Sequence, residues 1–311
     1  MQCVLNLRED DIFKISELKK PFIIHKTKAK HESMVKIFFI LSLLLFVCGC
    51  SNFQSTHKRF ENADAIAKNV NLQKEYIYTD NFLLTTFHRG LKNIKKDLVV
   101  YIEGDGSAWK SKYRLSENPT PKNPVALKLA AIDAADSILY IARPCMYLER
   151  KLMHDCPAKF WSSHRYSEEV ISSINQVIDW ATGMSLTNSL TIIGYSGGGT
   201  VAALIAARRN DVTSLITIAS NLDHKYWTDM HDISPLIGSL SPLEYAGSIS
   251  TIEQLHFVGA KDKMVPRAIV ESYLSKMPLK DKIKIYVIED FDHSCCWEKV
   301  WPELLNTTRK N

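Results

Sequence analysis

Six short aliphatic runs, alternating with longer amphipathic stretches, constrain the fold of this chain more than any other feature. The runs cover residues 98–102, 138–141, 190–193, 215–218, 255–258 and 283–288, and they are dominated by Val, Ile and Leu rather than alternating regularly with polar residues. A strand of that kind is buried on both faces, which is the condition of a parallel sheet covered by helices on both sides. Helical spacing occupies residues 124–134, 166–182, 198–209, 267–276 and 296–305, and residues 76–87 read as an earlier edge hairpin. The expectation is an α/β fold with a mostly parallel, doubly wound sheet flanked by helices. Residues 221–250 carry Trp227, Pro235, Gly238, Pro242 and Gly247 and interrupt the alternation, as a small lid or a long crossover would. With 46% hydrophobic residues in 311, the chain can fill one large core, and disorder is excluded. The net charge of +5 falls to +2 over residues 50–311, which excludes a strongly basic nucleic-acid binder.

Gly194-Tyr195-Ser196-Gly197-Gly198 follows the third of these runs directly and opens a helix rich in small residues, Thr200 to Ala207. A serine hydroxyl presented on a sharp strand-to-helix turn is the geometry of a nucleophile, and the helix N-terminus behind it favours negative charge. A phosphate-cradling loop is the competing reading, but no Gly-Lys-Ser/Thr follows and the glycine spacing does not fit a dinucleotide site. A nucleophilic serine needs a base, and the base needs an orienting carboxylate. Asp262 leaves the run that ends near Val258, and His293 follows the last run, so both fall at the carboxyl edge of the sheet, where open α/β sheets bind ligands. Asp223, after the run at 215–218, is the alternative acid. Asp292, adjacent to the histidine, points the wrong way to orient it. Of the two backbone N–H groups that an oxyanion hole requires, Gly197 supplies one, and the loop Glu103-Gly104-Asp105-Gly106-Ser107 supplies the other from Asp105 or Gly106. His224, His231 and His256 lack carboxylate or cysteine companions at ligand spacing, so no metal site is expected.

From about residue 76 to 306 the chain therefore resembles an α/β hydrolase, in the order Ser196, Asp262, His293. The stretches Tyr101-Ile102-Glu103-Gly104-Asp105-Gly106, Ala142-Arg143-Pro144-Cys145 and Asp292-His293-Ser294-Cys295 look like those of poorly characterised bacterial hydrolases. Glu103 stands where that family usually has His, and the side chains of Glu103 and Asp105 can instead contact a polar or cationic substrate group. The resemblance implies the α/β hydrolase fold and cleavage of a carboxylic ester or related acyl bond through an acyl-enzyme, with no cofactor. The alternatives are a serine peptidase on the same fold and a non-catalytic envelope lipoprotein that binds a ligand or partner.

Residues 37–48 form an uncharged run of 12, too short to span a bilayer and the length of a signal-peptide core. Met34 and Lys36 precede it and Val47-Cys48-Gly49-Cys50 ends it, which resembles a bacterial lipobox with Cys50 as the lipidated residue. The resulting division is an upstream extension or mis-started segment over 1–33, a lipoprotein signal over 34–49, a polar tether over 50–73 and the hydrolase domain over 74–311. That implies a cell-envelope protein anchored to a bacterial membrane through Cys50 and acting on a small-molecule ester or lipid, with no nucleic-acid partner. Cys145, Cys156, Cys295 and Cys296 remain in the domain, an even number that suggests disulfides in an exported chain. Cys145 and Cys156 can close a short loop; adjacent Cys295 and Cys296 do not easily bond each other, so one of them is expected to reach back to that loop.

Overall fold

A computed structural model of the chain describes residues 51–93, 97–153, 156–184 and 189–309. The signal segment, the lipobox and Cys50 lie outside these residues. Eight strands build the main sheet: β1 (Gln73–Tyr78), β2 (Leu83–Arg89), β3 (Leu98–Ile102), β6 (Ile138–Ile141), β7 (Leu190–Tyr195), β8 (Val212–Ile218), β9 (Glu253–Gly259) and β10 (Ile283–Ile288). Their order across the sheet is β1-β2-β6-β3-β7-β8-β9-β10, antiparallel over the first three and parallel from β6 to β10. A short hairpin, β4 (Trp109–Ser111) and β5 (Arg114–Leu115), stands apart from the main sheet. The helices are α1 (Ser51–Asn69), α2 (Val125–Ile132), α3 (Glu168–Gly183), α4 (Gly197–Ala206), α5 (His224–Met230), α6 (Arg267–Ser275) and α7 (Trp297–Arg309).

The period of two along each strand divides its side chains between two cores. Leu98, Val100 and Ile102 of β3 and Leu139 and Ile141 of β6 face one layer, where α3 contributes Val170, Ile171, Ile174, Val177 and Ile178 and α4 contributes Val201 and Leu204. Val99 and Tyr101, with Ile138 and Tyr140, face the other, which α2 and α7 fill with Leu127, Leu129, Trp297, Trp301 and Leu305. All five residues of β3 and all four of β6 are buried, as expected of interior strands with both faces covered. Trp301 and Tyr101 in the second layer satisfy their polar atoms in series: Trp301 Nε1 donates to Tyr101 Oη at 3.0 Å, and Tyr101 O–H donates to Asp133 at 2.7 Å.

Within the expected polar tether, residues 51–69 form helix α1, which buries Ala63 and Ala67 in the second layer with Phe60 and Ile66 against it. This stripe recurs every three or four residues, but it is built from few large side chains, so the polar composition hides it. Cys295 does not reach back to another loop: it bonds Cys296 across the cis peptide that joins them, while Cys145 bonds Cys156. Residues 221–250 are the crossover from β8 to β9, containing α5 and a short helical turn at Pro242–Tyr245. No helix among the described residues is long and apolar enough to cross a membrane.

Candidate active site

β7 ends at Tyr195, α4 begins at Gly197, and Ser196 between them adopts φ +52° and ψ −124°. A positive φ is unfavourable for a residue with a Cβ and persists only where its surroundings enforce it. Here the Ser196 N–H is held by the Ile218 carbonyl at 2.9 Å, and the Ser196 carbonyl accepts from Gly199 N at 3.0 Å. The turn also needs glycine at its third position, because a Cβ at Gly198 would overlap the Ile102 and Glu103 carbonyl oxygens at the end of β3. The serine hydroxyl is thereby raised above the carboxyl edge of the sheet, where the strand order reverses between β3 and β7.

His293 and Asp262 arrive from the loops after β10 and β9. Ser196 Oγ lies 3.0 Å from His293 Nε2, and His293 Nδ1 lies 2.9 Å from Asp262 Oδ2. The Asp262 side chain is fully excluded from solvent, while that of His293 is 23% exposed. The second Asp262 oxygen accepts from the Met264 and Val265 N–H groups, both at 2.8 Å, so the carboxylate is fixed before it meets the imidazole. A buried carboxylate on Nδ1 selects the tautomer with its proton there, leaving Nε2 free to accept the Ser196 proton. The three sequence-selected residues are thus brought together in one hydrogen-bonded chain.

Asp223, the alternative acid, is engaged elsewhere: it caps α5 by accepting from Tyr226 N at 3.0 Å and accepts the Ser272 hydroxyl at 2.6 Å. Asp292 instead accepts from Ser294 N at 2.9 Å and Cys295 N at 2.8 Å, organising the turn after the histidine. Among the described residues, no group of three or more His, Cys, Asp or Glu could hold a metal ion.

Gly197 follows Ser196 at the start of α4, and Asp105 and Gly106 lie in the loop after β3, Asp105 half-buried and Gly106 exposed. No protein acceptor takes the Asp105 or Gly106 N–H among the described residues. The expectation that Glu103 and Asp105 face substrate is not met, because both carboxylates turn inward. Glu103 accepts from Gly104 N at 3.0 Å, Ala126 N at 3.4 Å and Tyr140 O–H at 3.0 Å. Asp105 accepts from Arg143 at 3.1 Å, Arg165 at 2.9 Å and Tyr166 O–H at 3.0 Å. Burial alone would raise the Asp105 carboxyl, but Arg165 and Arg143 outweigh it and hold it below the usual carboxylate range.

Burial dominates at Glu103 and lifts it from 4.5 to about 7, against hydrogen bonds from Gly104, Tyr140 and Ala126 that favour the anion. The folded protein therefore keeps a proton on Glu103 that the unfolded chain releases above 4.5. This contribution to stability is complete below 4.5 and is lost as the pH rises through about 7, a difference on the order of 3 kcal/mol. Glu103→Gln, which copies the shape and hydrogen-bonding of the protonated acid, is expected to flatten that slope. Urea unfolding between pH 4.5 and 8 checks it; an unchanged slope in the variant would assign the pH dependence to another group.

Sequence reasoning did not single out four side chains that shape the site. Arg143 follows β6 and is visible only as part of a resemblance, and Arg165 and Tyr166 lie in the turn before α3, where the helical spacing from 166 onward placed Tyr166 in a helix. Tyr195 was read only as the variable position of the turn, yet its hydroxyl donates to the His293 carbonyl at 2.9 Å and its ring lies 5.5 Å from the imidazole.

No protein-family model matches the chain, and no curated protein sequence matches it. Solved structures do. A bacterial membrane phospholipase A is 13% identical with a TM-score of 0.53, covering 89% of this chain and 100% of its own. An esterase from Pyrococcus furiosus is 14% identical with a TM-score of 0.52, covering 78% and 91%. An α/β serine hydrolase without a lid from Xanthomonas campestris is 14% identical with a TM-score of 0.51, covering 77% and 94%. At such identities the likeness concerns the fold, and together with the strand order and the turn at Ser196 it establishes that this chain has the α/β hydrolase fold.

Proposed function

We propose that the protein is a serine hydrolase that cleaves a carboxylic ester or related acyl bond. The observation that carries this reading is the unbroken chain from Ser196 Oγ to His293 at 3.0 Å and on to Asp262 at 2.9 Å, with the serine on a strained turn. Ser196 Oγ attacks the acyl carbon while His293 Nε2 takes its proton. The imidazolium that forms is stabilised by Asp262, which keeps its own charge. The carbonyl oxygen becomes an oxyanion held by the Gly197 and Asp105 N–H groups, strengthened by the N-terminal end of α4. Collapse passes the His293 proton to the leaving group and leaves an acyl-Ser196; His293 then takes a proton from water as its oxygen attacks the acyl carbon, and returns that proton to Ser196 Oγ as the acid leaves. Ser rather than Asp at the elbow argues against dehalogenase or epoxide chemistry. The fold itself does not select among acyl substrates; the esterases and the phospholipase among its structural neighbours support an ester or lipid.

A fluorophosphonate probe tests the reading on the full-length protein. Covalent labelling mapped by peptide mass spectrometry to Ser196 is the expected result. Failure of the folded protein to react, or reaction at another residue, would overturn it.

A further inference from the structure

Arg143, Arg165 and Tyr166 all spend their polar ends on one carboxylate, that of Asp105, although they come from separate parts of the chain. Arg143 lies two residues after β6, and Arg165 and Tyr166 lie in the turn before α3. Both guanidinium groups are almost solvent-free, with 4% and 7% of their side chains exposed. Each is anchored further: Arg165 Nε donates to the Ser162 carbonyl at 2.7 Å, Arg143 donates to the Arg165 carbonyl, and Arg143 lies over the Tyr166 ring at 5.4 Å. The assembly reaches into the β8–β9 crossover, where Tyr166 N donates to Ser239 Oγ at 3.1 Å. On its other side, the Asp105 carboxylate lies against Gly197 so closely that a Cβ there would overlap it.

Buried ion pairs are weak contributors to net stability, since desolvation offsets much of the attraction. A trio of charges placed against the residue after the nucleophile calls for a different account. We propose that the Arg143–Asp105–Arg165–Tyr166 cluster is the clamp that holds the oxyanion loop in register with Gly197, with Asp105 as a positioning residue acting through its side chain. This rests on the serine hydrolase reading. Three charge-assisted or hydroxyl hydrogen bonds on one carboxylate fix the Asp105 Cα, and hence its backbone N–H, before substrate arrives. The cluster also carries two positive charges against one negative, so a net positive charge sits in a poorly solvated region beside the place where an oxyanion develops.

Asp105→Asn tests this, because it leaves the backbone donor in place and removes only the charge that the arginines grip. With a short p-nitrophenyl ester, kcat is expected to fall about 100-fold and KM to stay within about threefold. Inhibition by an alkyl boronic acid, which mimics the tetrahedral intermediate, should weaken by the same factor as kcat. Tyr166→Phe deletes one of the three bonds without disturbing charge, and about a 10-fold loss of kcat at constant KM is expected; it decides the matter if Asp105→Asn does not fold. Raised KM with unchanged kcat would make Asp105 a substrate contact and overturn the clamp, as would unchanged kinetics. A wild type that labels at Ser196 while these variants match it removes this inference alone; a wild type that does not label removes the hydrolase reading and this inference with it.

Discussion

Ser196→Ala is expected to lower kcat on short p-nitrophenyl esters by about 10⁶-fold, to a rate near that of the uncatalysed reaction plus what the oxyanion hole alone supplies. The size follows from the role: without Oγ there is no atom to form the acyl-enzyme, and His293 has no proton to accept. The fold should survive. The Ser196 side chain makes one hydrogen bond, to His293, and the backbone bonds that shape the turn belong to Ser196 N and O. Alanine meets the same strain at φ +52° as serine does, so unfolding free energy should change by less than about 1 kcal/mol. Chemical denaturation beside steady-state kinetics separates the two quantities. A folded variant that keeps a tenth of the activity would show that the serine is not the nucleophile.

Asp262→Asn should lower kcat by about 10⁴-fold, while Asp223→Asn should stay within about threefold of the wild type. Asparagine can keep Oδ1 on the Met264 and Val265 N–H groups, which leaves its NH2 facing His293 Nδ1. That arrangement selects the opposite tautomer, with a proton on Nε2, where the serine needs an acceptor. At position 223 asparagine still caps Tyr226 N through its carbonyl oxygen, and nothing there reaches the imidazole. The ratio of the two kcat values is the measurement, and a reversal would move the acid to Asp223.

Much of the fold is legible in the sequence, and for a physical reason. Interior parallel strands must be apolar on both faces, so the runs at 98–102 and 138–141 mark β3 and β6 to the residue; the run at 283–288 also matches β10, which lies at the sheet edge and is only partly buried. Strands β8 and β9 begin earlier than their aliphatic runs because Val212–Ser214 and Glu253–Gln254 join the ladder through backbone hydrogen bonds that no hydropathy records. The order Ser196, Asp262, His293 was legible because each residue follows directly on a strand that the pattern locates. Helix α5 was not legible: its seven residues bury only His224 and Thr228, too few to leave a period. The clamp on Asp105 was hidden for a deeper reason. It joins residues 38 to 61 positions apart, and pairing at that range is fixed by the topology of the sheet rather than by local spacing.

The bond from Tyr195 to the His293 carbonyl has a mechanical consequence. Ser196 stands at the end of β7 and His293 after β10, three strands away, so twisting or breathing of the sheet would by itself vary the gap between them. Tyr195, the residue before the serine, spans that gap as a strut above the sheet, and Trp297 at the start of α7 donates to the same carbonyl at 3.2 Å. The Ser196 hydroxyl and the His293 imidazole are therefore carried on one small truss, and a flexing sheet moves them as a pair.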